Sequence, residues 1–169
     1  SSIWEIGKKE EAKKIIDEII EISNEDRYFI QKCYFLFIDK NIEELKKILS
    51  KKRLKVDENG LYGVFELEIL YYREKNINSL KKLNRKYKNK PLYHLRMAEI
   101  IFEINKKAEK EIEENIKQAF LNINDNNLVL VLKLIDTCIL VNQKEYALKL
   151  LNNKDYNSIL IKSKILNLL

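Results

Sequence analysis

Turn-forming residues are scarce in this 169-residue chain, which holds three glycines and one proline. A sheet protein of this length spends many such residues on its turns. Their scarcity excludes most β architectures and points to helix nearly throughout. Cysteine is sparse as well. Cys33 and Cys138 stand far apart, each inside an apolar run, which argues against a disulfide framework and reads as two buried thiols. There is one histidine, His94, and no close Cys or His pair, so the usual zinc spacings are missing. Gly7, Gly60 and Gly63 are too dispersed for a phosphate loop and read as turn residues. The apolar run 128–132 falls far short of a membrane span. No charged-then-apolar leader opens the chain, and the expectation is a cytoplasmic protein with no membrane span. It starts Ser1-Ser2 rather than with Met, as a piece cut from a longer polypeptide or a chain carrying a vector-derived scar would.

What the chain does contain is apolar and charged side chains in helical order. Hydrophobic residues make up 46% and charged residues 34%, with a formal net charge of +6. The abundance of Asn, Ile and Lys fits an AT-rich coding bias, which weakens any argument from lysine number alone. A small or apolar residue just inside a Lys/Glu-rich helix recurs at Ala12, Leu45, Leu80, Ile112 and Ala147, in steps of 33, 35, 32 and 35 residues. A near-constant step of that size is the mark of one helical hairpin repeated and stacked.

The spacing predicts an incomplete first pair: a helix end at 3–6 closed by Gly7, then a helix over 8–22. Further pairs follow at 26–39 with 41–52, 61–74 with 77–88, 91–104 with 106–121, and 127–141 with 143–151. A last helix is expected over 156–168. First helices are apolar on most sides, as in Phe29, Ile30, Cys33, Tyr34, Phe35, Leu36, Phe37 and Ile38. Second helices are amphipathic, with Leu45, Ile48 and Leu49 on one face. Lys40-Asn41 and Lys75-Asn76 mark equivalent turns, Pro91 stands at a helix start, and 124–126 offers caps for the fifth pair.

The order of large, small and aromatic residues resembles the tetratricopeptide repeat family. It is carried by Gly7, Ala12 and Ile16, by Phe29, Cys33, Leu36, Leu45 and Leu49, and by Val64, Leu67, Tyr71 and Leu80. Met97, Ala98, Ile101, Ile112, Ile116 and Ala119 continue it, as do Val131, Leu134, Ile135, Cys138, Ala147 and Leu151. Leu45 and Leu80 stand where that family prefers Ala, Glu68 where it prefers a small residue and Asn84 where it prefers a large one. The resemblance implies an all-α fold: a right-handed α-α superhelix of about five antiparallel helix pairs, the first and last incomplete, in a single domain over 1–169.

That family binds extended peptides in a concave groove lined by first helices. Its spacing places Arg27, Tyr34, Phe37, Tyr62, Phe65, Tyr72, Arg73, Glu99 and Phe102 on the groove, although the same aromatics suit a core between repeats equally well. The Lys and Asn set with which some members grip a terminal carboxylate is absent at these positions. The resulting expectation is a protein- or peptide-binding scaffold without catalysis, metal or cofactor. His94 reads as a packing residue, and Glu10-Glu11 and Glu113-Glu114 as solvated faces.

Two other readings follow. Lys51, Lys52 and Arg53, with Lys82, Arg85 and Lys86, fall near the ends of two second helices. Stacked repeats would join them into a basic ridge able to meet nucleic acid or another anionic surface, although a solvated face explains them as well. The clipped first repeat also suits an accessory or regulatory domain of a larger enzyme, such as a glycosyltransferase, or of a transcriptional regulator. The apolar C-terminal helix offers a contact for a homo-oligomer.

Overall fold

The computed structural model describes residues 8–23, 25–51, 59–124, 127–145, 148 and 163. Among these the regular structure is all helical: α1 (Lys9–Ser23), α2 (Asp26–Ile38), α3 (Ile42–Lys51), α4 (Leu61–Glu74), α5 (Ile77–Lys81), α6 (Pro91–Ile104), α7 (Glu109–Asn122) and α8 (Leu128–Leu140). No helix among them is long and apolar enough to cross a membrane. The expected helix end at 3–6 with Gly7, most of the second helix at 143–151 including Ala147, and nearly all of the C-terminal helix lie outside the described residues. The chain divides into two compact units, Ser1–Asp57 and Glu58–Leu169.

In the first unit α2 packs against both α1 and α3. Ala12 and Ile16 lie one turn apart on α1, so both reach the same neighbour, and they bury against Phe35 of α2. Cys33, Leu36, Ile42 and Leu45 are also buried. Lys13 of α1 lies 2.5 Å from Asp39 at the end of α2 and 2.9 Å from Glu10.

The second unit is built around α6, which packs against α4, α5, α7 and α8. Its sequence explains that position. Leu95, Met97, Ala98, Ile100 and Ile101 point in almost every direction around the helix axis and all are fully buried. Each large apolar side chain contributes about 1.5–3 kcal/mol on burial. Pro91 sits in the first turn, where its missing N–H leaves no bond unmade. α7 is amphipathic and turns Ile112, Ile116 and Ala119 inward.

Three hairpin turns share one chemistry. Lys40, Lys75 and Asn142 follow α2, α4 and α8, and all adopt left-handed backbone with φ of 56°, 43° and 60°. The Asn41 N–H donates to Leu36 O at 2.9 Å and Lys40 N–H to Phe37 O at 3.1 Å. Gln143 N–H to Cys138 O and Asn142 N–H to Ile139 O repeat the pair at 2.7 and 3.2 Å. These are the two crossed bonds of a Schellman stop. Lys75 uses the simpler single bond, N–H to Tyr71 O at 3.1 Å. The Asn after each lysine then starts the next helix: Asn41 Oδ1 accepts from Glu44 N–H at 3.4 Å and Asn76 Oδ1 from Asn78 N–H at 2.9 Å. The turn after α6 differs. Asn105 is extended, at φ −149°, so the chain needs residues 106–108 before it can turn, and α7 starts at Glu109 rather than at 106. At α8 the cap is Asn127, whose Oδ1 accepts from Leu130 N–H at 3.2 Å; of the expected caps at 124–126, residues 125 and 126 lie outside the described residues.

Two expectations are corrected. The helix expected over 77–88 is α-helical only to Lys81, and residues 82–89 form turns, several closed by i→i+3 bonds such as Leu83 N–H to Leu80 O and Asn84 N–H to Lys81 O. Continued α-helix would stack Lys81 on Arg85 and Lys82 on Lys86, like charges four residues apart. Gly63, expected in a turn, lies inside the first turn of α4. A Cβ there would meet the Tyr87 ring at 2.7 Å, so its lack of a side chain is what lets the two segments touch. Gly60 does hold a turn, at φ 90°, against the Lys90 side chain.

Candidate binding face

In the second unit the first helices α4, α6 and α8 are neighbours, with α6 between the other two. A chain of charged groups crosses all three. Arg96 of α6 donates through Nε to Glu68 of α4 and through Nη1 to Glu99 at 3.1 Å and Glu103 at 3.0 Å. Glu99 in turn accepts from Lys133 Nζ of α8 at 2.6 Å and Thr137 Oγ1 of α8 at 2.8 Å. Arg96, Glu99 and Glu103 are spaced i, i+3, i+7, which places them on one side of α6. Of these residues, the family spacing marks Glu99 as part of the groove. Glu68 occupied a position where a small residue was expected, and Arg96, Lys133 and Thr137 were not singled out.

Burial sets the electrostatics. The Glu99 side chain is 5% exposed, and loss of water works against its charge. Lys133, Thr137 and Arg96 outweigh that loss and hold the carboxyl below its ordinary value. Burial also works against the Arg96 charge, but the carboxylates of Glu68, Glu103 and Glu99 keep the guanidinium charged. Tyr71 lies against Glu103, and burial followed by that carboxylate pushes its phenol up. Among the described residues no buried side-chain polar atom lacks a hydrogen-bond partner.

The expected groove residues fall in several environments. Tyr72 and Arg73 at the end of α4 are exposed, Tyr72 at 63%. Phe102 is half-buried with Lys106 Nζ 5.7 Å from its ring centre. Phe65 is fully buried and belongs to the core, so it has no surface to offer a ligand. Glu99 lies beneath the ion pairs. Tyr62 is half-buried under Lys86, 5.4 Å from its ring centre. Arg27, Tyr34 and Phe37 belong to the first unit: Arg27 is exposed and paired with Glu25 at 2.8 Å, Tyr34 is exposed and Phe37 half-buried.

Of the expected basic ridge, Lys52 and Arg53 lie outside the described residues, and Lys51 is exposed at the end of α3 in the first unit. Lys82, Arg85 and Lys86 follow α5 in the second. Lys86 is engaged: its Nζ lies 2.6 and 2.7 Å from the two Glu66 oxygens and 5.0 Å from the Tyr87 ring centre, while the Tyr87 hydroxyl donates to Glu66 at 2.9 Å.

His94 is a packing residue. It is 3% exposed, with Nδ1 2.9 Å from Asn115 Oδ1 and Nε2 2.9 Å from the Lys88 carbonyl. Among the described residues no cluster of His, Cys, Asp or Glu is arranged to hold a metal. Cys33 and Cys138 are free and buried, and burial pushes each thiol up to about 12. No protein-family model matches the chain, and no curated protein or solved structure is similar to it.

Proposed function

We propose that the chain is a stacked helical-hairpin repeat of tetratricopeptide type that binds a protein or peptide on the face of its first helices, without turnover. One observation carries the reading: α6 touches the first helix before it, the first helix after it, and the second helices on either side. Nearest-neighbour packing of that kind is how repeat proteins bury their hydrophobic faces. The recurring left-handed stop at Lys40, Lys75 and Asn142 supports it, since equivalent turns with equivalent geometry are what a repeated unit requires.

The face suits a ligand that makes side-chain contacts. Tyr72 and Arg73 are exposed at its end, and tyrosine and arginine are the residue types that most often dominate binding energy. Its floor joins three carboxylates, Glu68, Glu99 and Glu103, to two cations, Arg96 and Lys133, and so keeps one net negative charge that favours a basic group on the partner. Peptides selected on the full chain from a displayed random library give the test. Tyr72→Ala with Arg73→Ala is expected to weaken the selected peptides by about 30-fold or more, the effect of losing a dominant contact. Unchanged affinity in that variant refutes the face. The same surface serves whether the chain acts alone or inside a longer regulator or enzyme.

A further inference from the structure

The break in helix after Lys81 has a consequence for charge. Leu80 and Tyr87 are buried, Leu83 packs on the core, and Asn84 accepts the Tyr93 hydroxyl at 2.6 Å. The opposite edge of the segment carries Lys82, Arg85 and Lys88, all exposed. In a continuous α-helix, positions i, i+3 and i+6 drift around the axis. Several turns here are closed by i→i+3 bonds, as at Lys82, Leu83, Asn84 and Lys86, while Tyr87 N–H reaches back four residues to Leu83 O; bonds of the shorter kind draw side chains three residues apart toward one edge. None of these three side chains takes part in an ion pair or hydrogen bond among the described residues, whereas the flanking Lys81 and Lys86 are held by Glu111 and Glu66. The chain has no acidic residue between Glu74 and Glu99.

We propose that this edge binds the sugar–phosphate backbone of a nucleic-acid strand, with one cation for each of three successive phosphates. Three exposed cations on one short segment, in a stretch of chain without an acidic residue, complement a polyanion. A lipid surface fits less well, because the edge has no exposed apolar side chain to enter a bilayer. Exposed aromatics for base stacking are also missing from residues 82–88, so contact is with phosphates and does not read sequence. The inference is independent of the peptide-binding face and rests on different residues.

Fluorescence anisotropy of a labelled oligothymidine with the full chain tests it. Binding is expected at about 50 mM salt, with log K falling against log salt at a slope of about −2, the value for three phosphates on a single strand. The triple variant Lys82→Gln, Arg85→Gln, Lys88→Gln is expected to lose at least tenfold in affinity and to flatten the slope. Lys107→Gln, Lys110→Gln, Lys117→Gln removes the same charge from exposed positions around α7 and is expected to bind nearly as wild type. Unaltered melting of both variants shows that the fold is kept. No binding by wild type at low salt, equal loss in the two triple variants, or capture of phosphatidylserine vesicles without capture of the oligonucleotide would each overturn the proposal.

Discussion

Single residues show how backbone geometry overrides side-chain preference. Lys40 and Lys75 hold left-handed positions that glycine occupies at less cost. Lys40→Gly and Lys75→Gly are each expected to stabilise the protein by about 1 kcal/mol, read as a higher denaturant midpoint at unchanged m-value. Gly63 is the opposite case. Alanine would improve helix propensity by about 1 kcal/mol, but its Cβ would lie 2.7 Å from the Tyr87 ring. That ring is fixed by the hydroxyl bond to Glu66 and by Tyr93, with ring centres 5.1 Å apart. Overpacking at about 1–3 kcal/mol therefore wins, and Gly63→Ala is expected to lower the unfolding free energy. These outcomes were partly legible. The Lys-Asn recurrence located the turns, but nothing local to Gly63 could show that Tyr87, in another segment, would close over it.

At the scale of elements, the charge chain from Glu68 through Arg96 and Glu99 to Lys133 ties α4, α6 and α8 together. A buried carboxylate held by two cations and a hydroxyl costs more to disrupt than a surface pair. Glu99→Gln is expected to destabilise by about 2 kcal/mol at neutral pH. Because the Glu99 carboxyl is held below its ordinary value, its contribution is complete at neutral pH and is lost as pH falls through that lowered value. The difference between wild type and Glu99→Gln should therefore shrink below about pH 4, measured by urea unfolding across the acid range. A constant difference down to the acid limb would show that Glu99 acts through shape and not through charge. Periodicity located these helices well, because α4 and α6 span the residues that the apolar pattern marks. It placed Glu99 on the groove by register counting, whereas its neighbours bury it as a structural link.

For the whole molecule, the two units each carry one buried thiol: Cys33 in the first and Cys138 in the second. With both thiols pushed up to about 12 by burial, reaction with a disulfide reagent near neutral pH reports opening of the surrounding fold. Glu99→Gln is expected to speed labelling of Cys138 several-fold and to leave Cys33 unchanged, as followed by mass spectrometry of the labelled peptides. Equal acceleration at both sites would mean that the chain opens as one cooperative body.

Helical content, the limits of most helices and the buried stripe of each were written in residue order, because a helix is formed by neighbours three and four positions apart. Which side chains meet across helices was not. Arg96 finds Glu68, Lys133 finds Glu99, and Tyr87 covers Gly63 only through the axial offset and rotation of packed helices. Those two quantities depend on how all the apolar faces fit at once, so no window along the chain contains them.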